Sequence, residues 1–267
     1  MAQAVKVEAE HAIASMLHEY RYNSWMINEH WPLNEPHVRL MIDDVVTRFP
    51  PHPGLHVLDV GCFNGYISFL FRLLGYSVTG TDACELADRR EVFDKAGIKF
   101  VHSNLNELRP FKNLASNSFD IVIIAQVIEH ILNHPLGLML DLARLMRPGG
   151  LMILTTPNPA TVMAAVRSLR GKSLLWGTRD FIDEPKIDDE QVITKADIHY
   201  REYTHEELYH LITNAGLRVE KSLYLGLGSS LSQPALKRVI KKSRLSQSLM
   251  SKRLFASNHY FLARKPD

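Results

Sequence analysis

The residues best placed to do chemistry gather where an apolar run meets a glycine turn, Val57-Leu58-Asp59-Val60-Gly61-Cys62-Phe63-Asn64-Gly65-Tyr66. Gly61 and Gly65 let the backbone bend sharply and let a ligand approach it closely. The carboxyl end of a first strand is where open α/β sheets take their ligands. Two histidines stand out as groups able to move a proton near neutral pH. His130 closes Gln126-Val127-Ile128-Glu129-His130, just beyond an apolar strand, and His199 opens His199-Tyr200-Arg201-Glu202-Tyr203. Blander roles compete: Glu129 and His130 as the cap of a turn, His199 as a hydrogen-bonded hinge.

The loop departs from a dinucleotide fingerprint. Phe63 occupies the place of the second glycine in G-x-G-x-x-G, and no glycine follows at the right interval. Asp59 adds a carboxylate that would repel a pyrophosphate but suits a ligand carrying an ammonium. S-adenosylmethionine (SAM) has an amino-acid end, a sulfonium and no phosphate, so electrostatics favour it over NAD. Asp82 closes Val78-Thr79-Gly80-Thr81-Asp82, about 20 residues beyond the loop, where a carboxylate can accept both ribose hydroxyls.

Alternating strands and helices must position these groups. Strands are expected at His56–Val60, Ser77–Thr81, Lys99–His102, Asp120–Ala125, Leu151–Thr155, Arg218–Leu225 and His259–Ala263. Helices are expected at Tyr66–Leu74, Ala87–Ala96 and Pro135–Met146, the last stopping at Arg147-Pro148-Gly149-Gly150. A capping box at Thr204-His205-Glu206-Glu207 opens another. This rhythm means a parallel sheet covered on both faces. Residues 1–50 read as a helical cap rich in aromatics, ended by Pro50-Pro51-His52-Pro53-Gly54. There Trp25, His30 and Trp31 either pack as core or close over a ligand. The domain proper spans 51–267 and carries two insertions. Residues 157–198, with Trp176, read as a lid or substrate wall. Residues 231–253 form a basic amphipathic segment without an acid, suited to a solvated face or an anionic membrane surface.

Composition bounds the classes. The 267 residues are 46% hydrophobic and 22% charged with a net charge of +2, which fits a globular protein and excludes collagen-like, coiled-coil and wholly disordered chains. Such a balance carries no global nucleic-acid signal, and no added RNA-binding domain is in view. Cys62 and Cys84 are the two cysteines, too few for a disulfide framework or a cysteine zinc site, and a cytoplasmic location is expected. The charged N-terminus is unlike a secretory signal. The most apolar run, Ile121 to Ile128, is too short to span a bilayer.

Asp59-Val60-Gly61-Cys62-Phe63-Asn64-Gly65, Asp82, Ser118-Phe119-Asp120, Ile128-Glu129-His130 and Arg147-Pro148-Gly149-Gly150 form a set that resembles the class I SAM-dependent methyltransferases. The match is closest to the small-molecule group with a D-x-G-C-x-x-G loop. It is good over roughly residues 55–160 and looser over Tyr203–Val219 and the last strand. The resemblance implies an α/β fold, a Rossmann-like three-layer sandwich whose seven-stranded, mostly parallel sheet has an antiparallel last strand. It also implies methyl transfer from SAM, with S-adenosylhomocysteine as product. Carried over by motif, Asp59, Gly61, Cys62, Asn64 and Gly65 would line the methionine end of SAM. Asp82 would hold the ribose and Ala83 pack on the adenine. Asn104 and Leu105 would meet the adenine amino group, Asn104 through its amide oxygen. Gln126 would lie beside the sulfonium and the acceptor. Some quinone-type methyltransferases bind magnesium through E-x-x-E-H here; Gln126 replaces the first acid, so no metal is expected.

The expected activity is SAM-dependent methylation of a small molecule or glycan, at oxygen. Two histidines flank the pocket, and a hydroxyl acceptor would use one as a base. Carbon or nitrogen transfer to a metabolite is the nearest alternative, and a non-catalytic SAM-binding protein is the rival from another class. The N-P-P-Y/F signature of amino-directed nucleic-acid enzymes is absent, with Ala125-Gln126-Val127 in its place.

Overall fold

A computed structural model describes residues 2–107, 109–132, 134–174, 182, 186–188, 191–193, 198–226 and 253–267. Trp176 and nearly all of the basic segment 231–253 lie outside the described residues.

Two helices lead the chain, α1 (Ala2–Glu19) and α2 (Trp31–Arg48), joined through a π-helical turn at Met26–His30. Pro32 falls in the first turn of α2, where its missing N–H costs nothing. Then follow β1 (His56–Val60), α3 (Tyr66–Leu73), β2 (Ser77–Asp82), α4 (Ala87–Ala96) and β3 (Lys99–His102). Next come β4 (Phe119–Ala125), a 3-10 turn at Ile128–His130, α5 (Pro135–Leu145) and β5 (Met146–Pro157). The insertion contributes α6 (Val162–Leu169) and a short hairpin of β6 (Lys186–Asp188) and β7 (Gln191–Ile193). The chain ends with α7 (His205–Asn214), β8 (Arg218–Leu225) and β9 (Asn258–Arg264).

The seven-stranded sheet has the order β3-β2-β1-β4-β5-β9-β8. Strands β1 to β5 pair in parallel, and β9 runs antiparallel to both β5 and β8. This is the expected mixed sheet with its antiparallel last strand. Strand periodicity splits the core into two layers. Val57, Ile121, Ile123 and Ile153 face a layer with Met16, Val45 and Leu70 of the leading helices and α3. Leu58, Val122, Ile124 and Leu154 face a layer with Leu142 of α5 and Leu208 of α7.

Two buried carboxylates tie this frame together. Asp120 Oδ2 accepts the His56 N–H at 2.8 Å and Arg147 Nη1–H at 2.6 Å, pinning the starts of β1, β4 and β5. Asp44 on α2 accepts from Lys221 and Tyr260 at 2.8 Å each and from Arg48 at 2.9 Å. With the charge so fully partnered, its burial is tolerated and α2 is fixed to the sheet. The sequence reading starts the fifth strand at Leu151. The structure starts it at Met146, with Arg147–Gly150 bulged between the pairs Phe119↔Met146 and Ile121↔Leu151; Gly149, at φ +72°, allows the bulge. The capping box forms as expected, Thr204 N–H to Glu207 Oε2 and Glu207 N–H to Thr204 Oγ1.

Candidate active site

Strand β1 delivers the chain into the glycine loop at the carboxyl edge of the sheet. Gly61 and Gly65 have φ of +66° and +83°, where a side chain is strained. A Cβ on Gly61 would lie 2.6 Å from Val127, and one on Gly65 would lie 2.4 Å from the Phe93 ring. Asp59 is buried, its Oδ2 accepting Ser68 Oγ–H at 2.7 Å, and burial pushes its carboxyl up to about 6. Cys62 is also buried, with its sulfur against Gly80. Asn64 Oδ1 accepts the Tyr66 N–H, while its carbonyl accepts Tyr20 Oη–H at 2.8 Å. These three side chains shape the loop from within, and among them Asn64 Nδ2 is buried without a partner.

Asp82 ends β2 at the rim. Its Oδ2 accepts the Phe63 N–H and its Oδ1 the Cys84 N–H, both at 2.8 Å. A carboxylate has about four lone-pair sites, so one on each oxygen remains, a pattern that fits two neighbouring ribose hydroxyls. Ala83 is exposed next to it, its carbonyl bonded by His102 Nε2 at 3.0 Å. Asn104 is exposed and its Oδ1 already accepts the Asn106 N–H, leaving one lone pair for an amino group. Leu105 is half-buried against the second core layer.

Sequence reasoning missed Arg89. This buried guanidinium donates to the Phe63 carbonyl at 2.5 Å and to the Cys84 carbonyl, and stacks on Phe100 at 4.1 Å. It braces the glycine loop and the Asp82 turn together; nothing in Asp88-Arg89-Arg90 sets it apart from a solvated charge run. Of the N-terminal aromatics, Trp31 is core, whereas Trp25 is 43% exposed and meets Phe63 edge-on at 6.0 Å.

Beyond β4 the chain turns through Gln126, whose φ of +57° is unusual outside glycine. Its N–H donates to the Thr155 carbonyl at 2.8 Å and its Nε2–H to Thr155 Oγ1 at 3.3 Å. Val127, against Gly61, links this corner to the loop. Glu129 is fully buried; Oε2 accepts Thr156 Oγ1–H at 2.8 Å, Oε1 has no partner, and burial pushes its carboxyl up to about 7.

The two histidines, 69 residues apart in sequence, meet here. The irregular segment 198–203 lies on the 3-10 turn: Tyr200 and Arg201 N–H donate to the Glu129 carbonyl at 2.8 and 3.3 Å, and His130 Nδ1–H donates to the Ile198 carbonyl at 2.8 Å. The His130 and His199 rings stand edge to face, 5.0 Å apart. His199 Nδ1 lies 2.8 Å from Glu202 Oε1. Glu129, His130 and His199 each bring a donor atom within 4.8 Å of the others, close enough to share a proton or a cation. Among the described residues, no helix is long and apolar enough to cross a membrane.

The profile of a family described as a methyltransferase domain matches residues 35–222. The chain belongs to this family. The cosubstrate of SAM-dependent methyltransferases is SAM, and the Asp82 carboxylate fits its ribose. Similar curated proteins are ubiquinone biosynthesis O-methyltransferases. That of Maricaulis maris is 36% identical over 112 residues, 40% of this chain and 42% of the relative. That of Ruegeria pomeroyi is 30% identical over 172 residues, 62% of this chain and 61% of the relative. The chain thus spans about two to three fifths of these relatives. A solved S-adenosylmethionine-dependent methyltransferase from Mesorhizobium loti shares the fold, with a TM-score of 0.54 at 17% identity over 87% of this chain and 98% of the other. In this methyltransferase domain the glycine loop and Asp82 lie at the carboxyl edge of β1 and β2, and the corner from Gln126 to His130 follows β4.

Proposed function

We propose that the protein transfers the methyl group of SAM to a hydroxyl oxygen of a small-molecule acceptor. The observation that carries this reading is the meeting of His130 and His199; His130 stands three residues in sequence beyond Val127, which packs against Gly61 of the glycine loop. SAM brings a carbon already activated by its positive sulfur, so the protein's main task is alignment. A hydroxyl acceptor must also lose a proton, and a positioned imidazole serves that need. Carbon acceptors and neutral amines make different demands, and a carboxylate acceptor needs no base. The relatives' names, which specify O-methylation in ubiquinone biosynthesis, favour an aromatic hydroxyl over a glycan. Asp59, Gly61, Cys62, Asn64 and Gly65 would form the methionine berth. Asp82, Ala83, Asn104 and Leu105 would hold the nucleoside, with Gln126 beside the reacting carbon. The test is incubation with methyl-labelled SAM and a panel of phenols, catechols and glycans. Label in a phenolic ether supports the reading; label in an amine or a carbon-methylated product refutes oxygen transfer.

A further inference from the structure

The acid Glu202 has no place in the cofactor machinery, yet it is built into the proposed acceptor side. Its side chain is 12% exposed and that of His199 15%, and their contact is 2.8 Å. The flanking residues Ile198 and Tyr203 are buried, and the main chain between them is bonded to the Glu129 carbonyl. Glu202 is therefore held in place rather than swinging on a surface loop. The adjacent cation does not compete for it: Arg201 Nη2 donates instead to Glu207 Oε1 at 2.7 Å. Among the described residues, His199 is the hydrogen-bond partner of Glu202.

An ionised carboxylate only accepts. His199 Nδ1 must then carry the hydrogen, and the Nε2 lone pair is left for another group. Which ring nitrogen is protonated follows from the bond the other one makes. From this geometry we infer that Glu202 is a positioning residue. It holds His199 in the Nδ1–H tautomer so that Nε2 can take the acceptor's proton.

The inference rests on the proposed transfer to a hydroxyl. In that step the acceptor's O–H bond breaks and its proton goes to Nε2. An oxygen lone pair forms the O–C bond, and the carbon–sulfur pair returns to sulfur. The imidazolium so formed faces the Glu202 carboxylate and later releases its proton to water. Among the described residues, Glu129 and His130 are the other titratable groups facing His199.

The test joins ring ¹⁵N NMR of His199 to kinetics of the full chain with SAM and a phenolic acceptor that carries a free hydroxyl. The wild-type ring is expected as Nδ1–H. Glu202→Leu should lose that tautomer preference and lower kcat roughly 10- to 100-fold, less than the roughly 100- to 10,000-fold a general base supplies. Its Kd for SAM should be unchanged. Glu202→Gln, which keeps an acceptor oxygen, should recover the tautomer and part of kcat. An Nε2–H tautomer in the wild-type protein overturns the inference, even if no variant folds. So does a Glu202→Leu protein with unchanged ring signals and kcat. If the tautomer responds as expected but His199→Ala turns over at full rate, Glu202's hold on the ring stands and the base reading fails.

Discussion

Replacing Asp82 by asparagine separates a carboxylate that grips a ligand from one that only ends a strand. Both Asp82 oxygens accept main-chain N–H groups, from Phe63 and from Cys84, each at 2.8 Å. An asparagine has one acceptor oxygen and an amide that donates, so in either orientation one of these N–H groups loses its partner and meets another donor. A hydrogen bond to a charged group contributes about 1.5–3 kcal/mol. On the ligand side, one ribose hydroxyl likewise loses its acceptor. Loss of one such bond corresponds to about a 10- to 150-fold weaker Kd for SAM. Asp82→Ala removes both acceptors and should weaken binding further, beyond about 150-fold. Calorimetry with SAM and with S-adenosylhomocysteine measures the change, and circular dichroism melting follows the loop's own loss of clamping. A Kd for Asp82→Asn within threefold of wild type, with the fold intact, would refute the ribose assignment.

Glu129→Gln tests the buried carboxyl at the corner. Its ordinary value is 4.5 and burial raises it to about 7. The folded protein therefore keeps a proton that the unfolded chain loses over this window, and wild-type stability falls as pH rises through it. Relative to the variant, wild type should lose on the order of 2–3 kcal/mol between pH 5 and pH 8. Parallel urea-unfolding midpoints at the two pH values would contradict this. His130→Ala and His199→Ala should each lower kcat with little effect on SAM affinity. Because their rings touch, the double variant should fall short of the product of the two losses; strictly multiplicative losses would show that they act independently. Activity should survive excess EDTA after gel filtration. Its loss, with recovery on adding back a divalent cation, would assign Glu129, His130 and His199 to a metal.

The fold was legible because the central strands β1, β4 and β5 are largely buried on both faces and α4 ends on a glycine. The limits of β1, α4 and β3 follow directly from Val57–Val60, Gly97 and the short run Lys99–His102. The placing of the glycine loop after β1 and of Asp82 at the end of β2 was legible too, since it is local: a loop, a strand end and about 20 residues between them. Less legible was the direction of side chains within the loop. Cys62 and Asn64 turn inward where Gly80 leaves room for a sulfur and the Tyr66 N–H donates to Asn64 Oδ1, while Tyr20 Oη–H holds the Asn64 carbonyl. The joining of His130 to His199 had no sequence signal, because it depends on main-chain bonds from 200 and 201 to residue 129. The bulge at Arg147–Gly150 resembles a plain helix stop; only the pairing of Phe119 with Met146 reveals it as part of the strand.

The most direct test of the account is a single-turnover reaction with methyl-labelled SAM and a phenolic acceptor, comparing wild type with His199→Ala. The account predicts label on the phenolic oxygen at wild-type rate, and a slowed transfer in the variant with SAM still bound. Bound SAM whose label never leaves it across the whole panel, or equal rates in the two proteins, would contradict it.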